Sequence, residues 1–138
     1  MAVKAVIFDW GGTLTPWHTV DHDALWLGVC EQHLPGGEAA LVAARLRAAE
    51  MALWERADQE NRSATLTDVA ARAGVTTPAG FWDSFYAAWD PHTYADPEAA
   101  SLLRELRSRG IRVGVLSNTM WPRSAHERVF VRDRKSVV

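Results

Sequence analysis

Residues 3–14 read VKAVIFDWGGTL, and this stretch decides the fold of the chain. The run from Val3 to Phe8 is apolar and rich in β-branched residues apart from one lysine, which is typical of a short strand buried on both faces in a parallel sheet. Asp9 ends the run, and a Gly-Gly-Thr sequence then forces a turn, because glycine tolerates a positive φ and a close approach of the backbone. The stretch therefore predicts an α/β protein whose first strand ends in a carboxylate.

A second strand of the same kind is predicted near the end of the chain. A helix that starts at Asp96 precedes the apolar run 111–116, which ends at Ser117-Asn118. Ligands bind at the carboxyl ends of the strands in open α/β sheets. If the two strands are parallel neighbours, Asp9 and Ser117 therefore meet at one edge. A carboxylate there can act as a nucleophile or bind Mg²⁺, and the N–H groups of a glycine turn can hold phosphate oxygens.

Residues 21–89, between the two predicted strands, show helical periodicity and no convincing strand. The longest amphipathic stretch covers 38–60 and is rich in alanine, leucine, arginine and glutamate, and its arginines indicate a solvated face. Spacings of three and four residues predict its apolar stripe. That stripe consists of Leu41, Ala44, Ala48, Ala52 and Glu55.

Several aromatic and histidine side chains are candidates for a site. An aromatic cluster closes the helical segment, and we expect it to pack within the helices rather than to bind a ligand. Trp10 and Trp17 flank the glycine turn and are better placed to line a pocket. His18 and His22 have the spacing of a metal pair, but no third ligand is identifiable, so surface or hinge roles are favoured. The aromatic cluster consists of Phe81, Trp82, Phe85, Tyr86 and Trp89.

The composition excludes several classes of function. The 138 residues suffice for one domain, and 15 basic against 17 acidic side chains give a net charge of -2, so neither nucleic acid nor a membrane is an expected partner. Cys30 is the single cysteine, which rules out an internal disulfide and fits a reducing compartment. No apolar run approaches the roughly 18 residues of a membrane span, and Asp9 interrupts any signal-peptide pattern. We expect a cytoplasmic protein.

Two motifs resemble those of the haloacid dehalogenase-like (HAD) hydrolase superfamily. Residues 6–14, VIFDWGGTL, resemble its first motif, and residues 113–119, VGVLSNT, resemble its second. The resemblance covers about residues 1–132. It implies an incomplete, doubly wound parallel (Rossmann-like) core formed by 1–16 and 95–132, with an inserted helical cap at 17–94.

The resemblance also implies a reaction and its residues. The implied reaction is that of a Mg²⁺-dependent phosphatase acting on a small phosphorylated substrate. In this reaction Asp9 is the nucleophile that forms an aspartyl-phosphate, and it also ligates Mg²⁺. The backbone carbonyl of Gly11 would be a second Mg²⁺ ligand. The phosphate contacts that it implies are Gly12, Thr13, Ser117 and Asn118.

The chain departs from the family pattern in two ways. Gly11 stands where the first motif usually has a second aspartate, so no side chain there can protonate a leaving group, and losing a general acid typically costs about 10²–10⁴ in rate. The third and fourth motifs, a lysine and paired acids, should follow Ser117. After that residue the chain has Lys135 as its single lysine and no acidic pair. We therefore expect the 138-residue chain by itself to be inactive.

The C-terminal tail has a separate interpretation. Residues 133–138, DRKSVV, match the in-frame translation of a common sequencing adapter together with its stop codon. We therefore expect this tail to be non-native and the natural protein to continue past Arg132. The alternative is a genuine basic tail.

Two other functions compete with the hydrolase. The Asp-x-Gly-Gly-Thr pattern also resembles the first phosphate loop of sugar kinases with the actin-like fold. In those kinases the turn leads into a second strand, whereas here it leads to Pro16 and then helices. A Walker-type phosphate loop is excluded because no Gly-Lys-Ser/Thr occurs. The stronger rival is a non-catalytic HAD-like module that binds a ligand or a protein, and Gly11 favours it.

Overall fold

The computed structural model describes residues 3–135, which form two strands and six α-helices in two compact units. The sheet unit consists of residues 3–19, 91–118 and 126–135, and the helical unit of residues 20–90 and 119–125. A 3₁₀ turn, Asp90–His92, follows the fourth helix. In chain order the elements are β1 (Ala5–Phe8), α1 (His22–His33), α2 (Gly36–Glu60), α3 (Leu66–Ala73), α4 (Phe81–Trp89), α5 (Pro97–Ser108), β2 (Arg112–Val115) and α6 (Arg123–Lys135).

The sheet unit contains a parallel pair of strands. Ala5 lies opposite Arg112 and Phe8 opposite Val115, and the N–H of Leu116 donates to the carbonyl of Phe8 at 2.9 Å. The predicted parallel pairing of the two apolar runs is therefore confirmed. Both carboxyl ends lie at the same edge of the sheet.

The prediction that the first strand is buried on both faces is wrong for the described residues. Val6 and Phe8 are half-buried, whereas Ile7 is 69% exposed. In a two-stranded sheet each strand has one hydrogen-bonded neighbour, and the alternation along β1 shows that packing covers one of its sides. A continuous apolar run shows which side chains are suited to burial. Whether each of them is buried depends on the elements that pack against the strand.

Local sequence signals set the limits of α5, as predicted. Asp96 is the N-cap, its carboxylate accepts the N–H of Glu98 at 2.8 Å, and Pro97 begins the helix. Gly110 has a φ of +72°, a conformation that glycine adopts without steric cost, and it turns the chain toward β2. The N–H of Asp96 also donates to the carbonyl of Leu14 at 2.8 Å, which ties the start of α5 to the turn after β1.

The helical unit holds an extended apolar core. The long helix α2 packs against α1 and α3, and α1 packs against α4. The predicted packing role of the aromatic cluster is confirmed, because Phe81 and Phe85 are fully buried and the other three members pack against the core. None of the described helices is both long and apolar enough to cross a membrane. The buried core consists of Trp26, Val29, Cys30, Ala39, Ala43, Leu46, Ala49, Leu53, Leu66, Val69, Ala70, Ala73, Phe81, Phe85 and Met120.

The predicted apolar stripe of α2 is wrong. Leu41 is 63% exposed, whereas Leu46 and Leu53 are buried, so the helix presents an adjacent stripe to its neighbours. Both stripes repeat at three and four residues, because neighbouring lines on a helix share that spacing. The stripe that carries two leucines buries more apolar surface against α1 and α3. Its members are Ala39, Ala43, Leu46, Ala49, Glu50 and Leu53.

Helix α6 continues past Arg132 in the sheet unit. The carboxylate of Asp133 is buried, accepts the N–H of Ala95 at 2.8 Å and pairs with Arg132 at 2.7 Å. Arg132 also donates to the carbonyl of Thr93 at 3.0 Å. The expectation of a non-native tail over 133–138 stays a prediction, and its residues 136–138 lie outside the described part of the chain.

Candidate active site

Asp9 and Ser117 lie just beyond the carboxyl ends of the two parallel strands. Phe8, the last residue of β1, pairs with Val115, the last residue of β2, so the side chains that follow both strands emerge at one edge. Asp9 is exposed and Ser117 is half-buried, while Asn118 is exposed. The fold thus presents a carboxylate, a hydroxyl and an amide to solvent at the edge where open α/β sheets bind ligands.

The turn after β1 is built around one carbonyl group. The carbonyl oxygen of Trp10 accepts the N–H groups of Thr13, Leu14 and Thr15 at 3.3, 3.0 and 3.1 Å. Gly12 has a φ of +73°, which requires glycine for an unstrained backbone. The N–H of Thr13 is engaged in the turn. Gly11 and Thr15 form a parallel bridge, which directs the N–H of Gly12 to the carbonyl of Thr15 because Pro16 has no N–H to donate. Any anion binding by this turn is therefore left to the N–H of Gly11.

One oxygen of the Asp9 carboxylate is held by the backbone. Its Oδ1 accepts the N–H of Trp10 at 2.8 Å. This bond restricts rotation of the carboxylate and leaves Oδ2 directed away from that donor. With Oδ1 held in this way, Oδ2 is the oxygen left to act as a nucleophile or to bind a cation.

The two tryptophans beside the turn differ in their surroundings. Trp10 packs edge-on against Phe130, with ring centroids 4.9 Å apart, so its side chain belongs to the packing of the sheet unit. Trp17 is 83% exposed. Its six-membered ring lies over Gly12, because a Cβ atom placed on that glycine would be 3.0 Å from Cε3 of Trp17. The sequence could not distinguish these two roles.

Thr13 borders an open pocket of the sheet unit that does not suit a phosphate. Phe8 and Leu14 also line it, and three carboxylates come from the start and middle of α5. These carboxylates repel a dianion, so we assign no substrate role to this pocket. They belong to Asp96, Glu98 and Glu105.

The two histidines after the turn have different neighbours. His18, in the sheet unit, lies edge-on to His92 with ring centroids 6.0 Å apart. His22, in the helical unit, places Nδ1 3.7 Å from the carboxylate of Glu50 and packs edge-on against Trp89. The two residues belong to different units, and their predicted hinge or surface roles stay a prediction.

The described residues offer Mg²⁺ few ligands. No group of three His, Cys, Asp or Glu side chains within 3–135 could hold a metal ion. Mg²⁺ keeps several water molecules and commonly takes one or two carboxylates together with substrate phosphates. The exposed carboxylate of Asp9 is a ligand of the kind that such partial coordination uses.

Sequence reasoning missed a buried polar cluster in the helical unit. The carboxylate of Glu50 is 5% exposed, accepts the indole N–H of Trp26 at 2.9 Å and pairs with Arg47 at 3.1 Å. The predicted solvated face of this helix is therefore wrong at Glu50. The available signal was its position four residues after Leu46 and three before Leu53, on the buried stripe.

The fold and the comparisons lead to the same class of protein. A parallel αβ arrangement with a carboxylate and a glycine turn at its carboxyl edge is typical of hydrolases that act through an aspartate. The family model of haloacid dehalogenase-like hydrolases matches residues 3–128. The chain belongs to the haloacid dehalogenase-like hydrolase family. No curated protein matches it.

Proposed function

We propose that this protein is a Mg²⁺-dependent phosphatase that transfers a phosphoryl group to Asp9 and then to water. The observation that carries the proposal is the exposed carboxylate of Asp9, which follows β1 at the sheet edge with one oxygen held by the N–H of Trp10. The glycine turn beside it adds a backbone donor for a phosphate. Family membership supports the hydrolase class, and HAD-superfamily hydrolases generally use Mg²⁺.

The reaction has two displacement steps at phosphorus. In the first, Oδ2 of Asp9 forms a bond to phosphorus, the bond to the leaving oxygen breaks, and that oxygen departs with the electron pair. In the second, a water oxygen attacks the aspartyl-phosphate, the bond between phosphorus and Asp9 breaks, and the carboxylate is restored. One proton of the water stays on the hydrogen phosphate and the other reaches the departed oxygen through solvent.

The chain's own residues position the phosphate. The N–H of Gly11, the hydroxyl group of Ser117 and the amide of Asn118 donate to its oxygens. Asp9 and the Gly11 carbonyl would hold the ion. When bound, Mg²⁺ neutralises the charge that develops on the phosphoryl oxygens.

We assign the role of a cap to the inserted segment 17–94, whose residues 20–90 belong to the helical unit. The assignment rests on the insertion of this segment in the chain between the turn that follows β1 and the start of α5. In this proposal the helices exclude water and select the substrate, while the sheet unit carries out the chemistry. The substrate is a small phosphorylated molecule.

The test is phosphatase activity that depends on Asp9. The gene is first sequenced across the Arg132 codon from an independent template, and the reading frame found there is expressed. Release of phosphate from acetyl phosphate and phenyl phosphate is then measured with and without Mg²⁺. We expect Asp9→Asn to lower kcat by about a thousandfold or more, because the amide oxygen is a poor nucleophile. Asp58→Asn, at an exposed aspartate of α2, is the matched control and should leave kcat unchanged.

The same experiment separates the enzyme from a binding module. Gly11 favours the second candidate, since it provides no acid beside the nucleophile. If wild-type protein binds methylphosphonate but releases no phosphate from either substrate, the catalytic proposal is wrong and a non-catalytic HAD-like module replaces it. Turnover that survives Asp9→Asn would also overturn the proposal, because another group would then be the nucleophile.

A further inference from the structure

An exposed tryptophan lies on the glycine of the proposed phosphate turn. The indole of Trp17 is 83% exposed, although folding normally buries most of such a large apolar ring. Trp10, the other tryptophan beside the turn, is accounted for by its packing on Phe130. Trp17 therefore keeps a large aromatic surface open to solvent beside the place where a phosphate would bind.

The position of the Trp17 ring is set by close contact with the turn. A Cβ on Gly12 would lie 3.0 Å from Cε3 and 3.8 Å from Cζ3 of Trp17, so the six-membered ring occupies the space that a side chain would need. The positive φ of Gly12 keeps its backbone in the turn. Both residues belong to the sheet unit, so the Trp17 ring and the backbone of Gly12 form one local surface.

The residues that follow the nucleophile restrict the leaving group. The stretch after Asp9 is Trp-Gly-Gly-Thr, which contains no acid, so no side chain of this stretch can protonate the departing oxygen and a leaving group that tolerates negative charge is favoured. A phenol has a pKa of about 10, as tyrosine shows. Water is a far weaker acid than a phenol, and aliphatic alcohols resemble water. An aromatic alcohol therefore leaves far more readily from this site than an aliphatic one.

We propose that Trp17 forms a ring-binding subsite, and that the substrate is the phosphate ester of an aromatic hydroxyl group. The proposal rests on the phosphatase function above. Stacking on an indole contributes affinity for a planar ring, and the phenolate oxygen departs with the electron pair of the broken P–O bond. A proton from solvent then converts the phenolate to the phenol. Ring binding and leaving-group acidity thus favour the same class of substrate.

Binding tests the subsite without turnover. Phenylphosphonate and methylphosphonate carry the same charged group and differ in the ring, and neither can be hydrolysed. At a fixed Mg²⁺ concentration, calorimetry should show phenylphosphonate binding about threefold to tenfold more tightly to the wild-type protein. Trp17→Ala should remove this preference and Trp17→Phe should retain most of it. Trp54→Ala, which removes a partly exposed tryptophan of the helical unit, should change neither affinity.

A second variant covers the case in which Trp17→Ala does not fold. Trp17→Leu keeps an apolar group over Gly12 but has no ring face for stacking, so it should bind both phosphonates with similar affinity. An equal affinity of the wild-type protein for the two phosphonates would overturn the subsite. A ring preference that survives in Trp17→Leu or Trp17→Ala would overturn it as well.

Kinetics tests the substrate class. For phenyl phosphate we expect Trp17→Ala to raise KM about threefold to tenfold, while KM for acetyl phosphate, which has no ring, stays unchanged. Across substituted phenyl phosphates, kcat should rise steeply as the phenol becomes more acidic. A flat dependence would overturn the inference about the leaving group. Ring-dependent binding without any turnover would support the subsite and contradict the phosphatase, so the two proposals fail separately.

Discussion

The helical unit and the sheet unit differ in how completely they bury their apolar side chains. The contiguous apolar core lies in the helical unit, where Trp26 and Phe85 pack with ring centroids 4.7 Å apart. In the sheet unit, by contrast, Ile7 and Leu116 on and after the two strands are largely exposed. The apolar core and the residues proposed for catalysis therefore belong to separate parts of the chain. The residues proposed for catalysis lie in the less buried part.

The physical reason is the number of neighbours that each element has. Helices α1, α2, α3 and α4 each pack against at least one other helix of the unit, so an apolar stripe finds a partner. A sheet of two strands has two free edges, and three or more strands are normally needed for independent stability. We therefore expect the helical unit to have the larger free energy of opening.

The largest expected difference between the units comes from removing one apolar side chain in each. Phe85→Ala should lower the free energy of unfolding by about 3–5 kcal/mol, because the ring is fully buried among Trp26, Trp82 and Trp121. Ile7→Ala should cost less than about 1 kcal/mol, since that side chain is 69% exposed. Urea unfolding followed by circular dichroism, with hydrogen exchange resolved by segment, measures both.

Equal losses of unfolding free energy in Phe85→Ala and Ile7→Ala would contradict the expected difference between the two units. Faster exchange in α1–α4 than in β1 and β2 in the unchanged protein would reverse it.

A smaller effect is expected from the buried carboxylate of the helical unit. Glu50→Ala should cost about 2 kcal/mol, because Trp26 and Arg47 each lose an acceptor in a region that water enters poorly. Glu50→Gln retains an acceptor for the indole and should lose less. In the sheet unit, Glu105→Ala breaks an exposed pair with Arg109 and should cost less than about 0.5 kcal/mol. Urea midpoints of the three variants test this order.

A larger loss in Glu105→Ala than in Glu50→Ala would contradict the view that burial, rather than charge pairing, decides the contribution.

The smallest effects are pH dependences of opposite direction in the two units. Burial raises the pKa of the Cys30 thiol from 9.0 to about 11, so the unfolded chain releases this proton first and the helical unit loses stability as the pH rises from about 9 to 11. Burial lowers the pKa of His126, in the sheet unit, from 6.5. The unfolded chain therefore binds this proton more readily, and stability falls as the pH drops below about 6.5.

Urea midpoints between pH 5 and 10, compared with those of Cys30→Ala and His126→Gln, isolate the two groups. Each substitution should remove its own limb of the pH dependence and leave the other limb intact. The thiol of Cys30 should also react slowly with a disulfide reagent at pH 8 until the protein is unfolded, because it is fully buried. Rapid reaction in the native protein would show that the core around this residue opens readily.

Local signals were read correctly from the sequence. The parallel pairing of residues 5–8 with 112–115, the helix start at Asp96 and the packing role of the aromatic cluster are all present in the structure. The edge that carries Asp9 and Ser117 follows from the same strand pairing. These features depend on neighbouring residues or on a short apolar run, so the chain itself contains the information.

Other features depended on what packs against an element. Periodicity does not show which of two adjacent stripes of α2 is buried. It therefore predicts neither the exposure of Leu41 nor the burial of Glu50. It also could not show that Met120 and Trp121, far along the chain, pack with the helices of residues 20–90. Long-range contacts select among faces that local spacing leaves equivalent.

The sequence by itself determined that a carboxylate and a glycine turn follow a strand of an α/β fold, because strand ends, turns and helix caps are local properties of the chain. The tertiary structure alone decided which side chains are available for binding. It packs Trp10 on Phe130 and leaves Trp17 exposed over Gly12, although both tryptophans flank the same turn. The exposure of a side chain depends on packing partners that are distant in the sequence, and a local sequence pattern does not identify those partners.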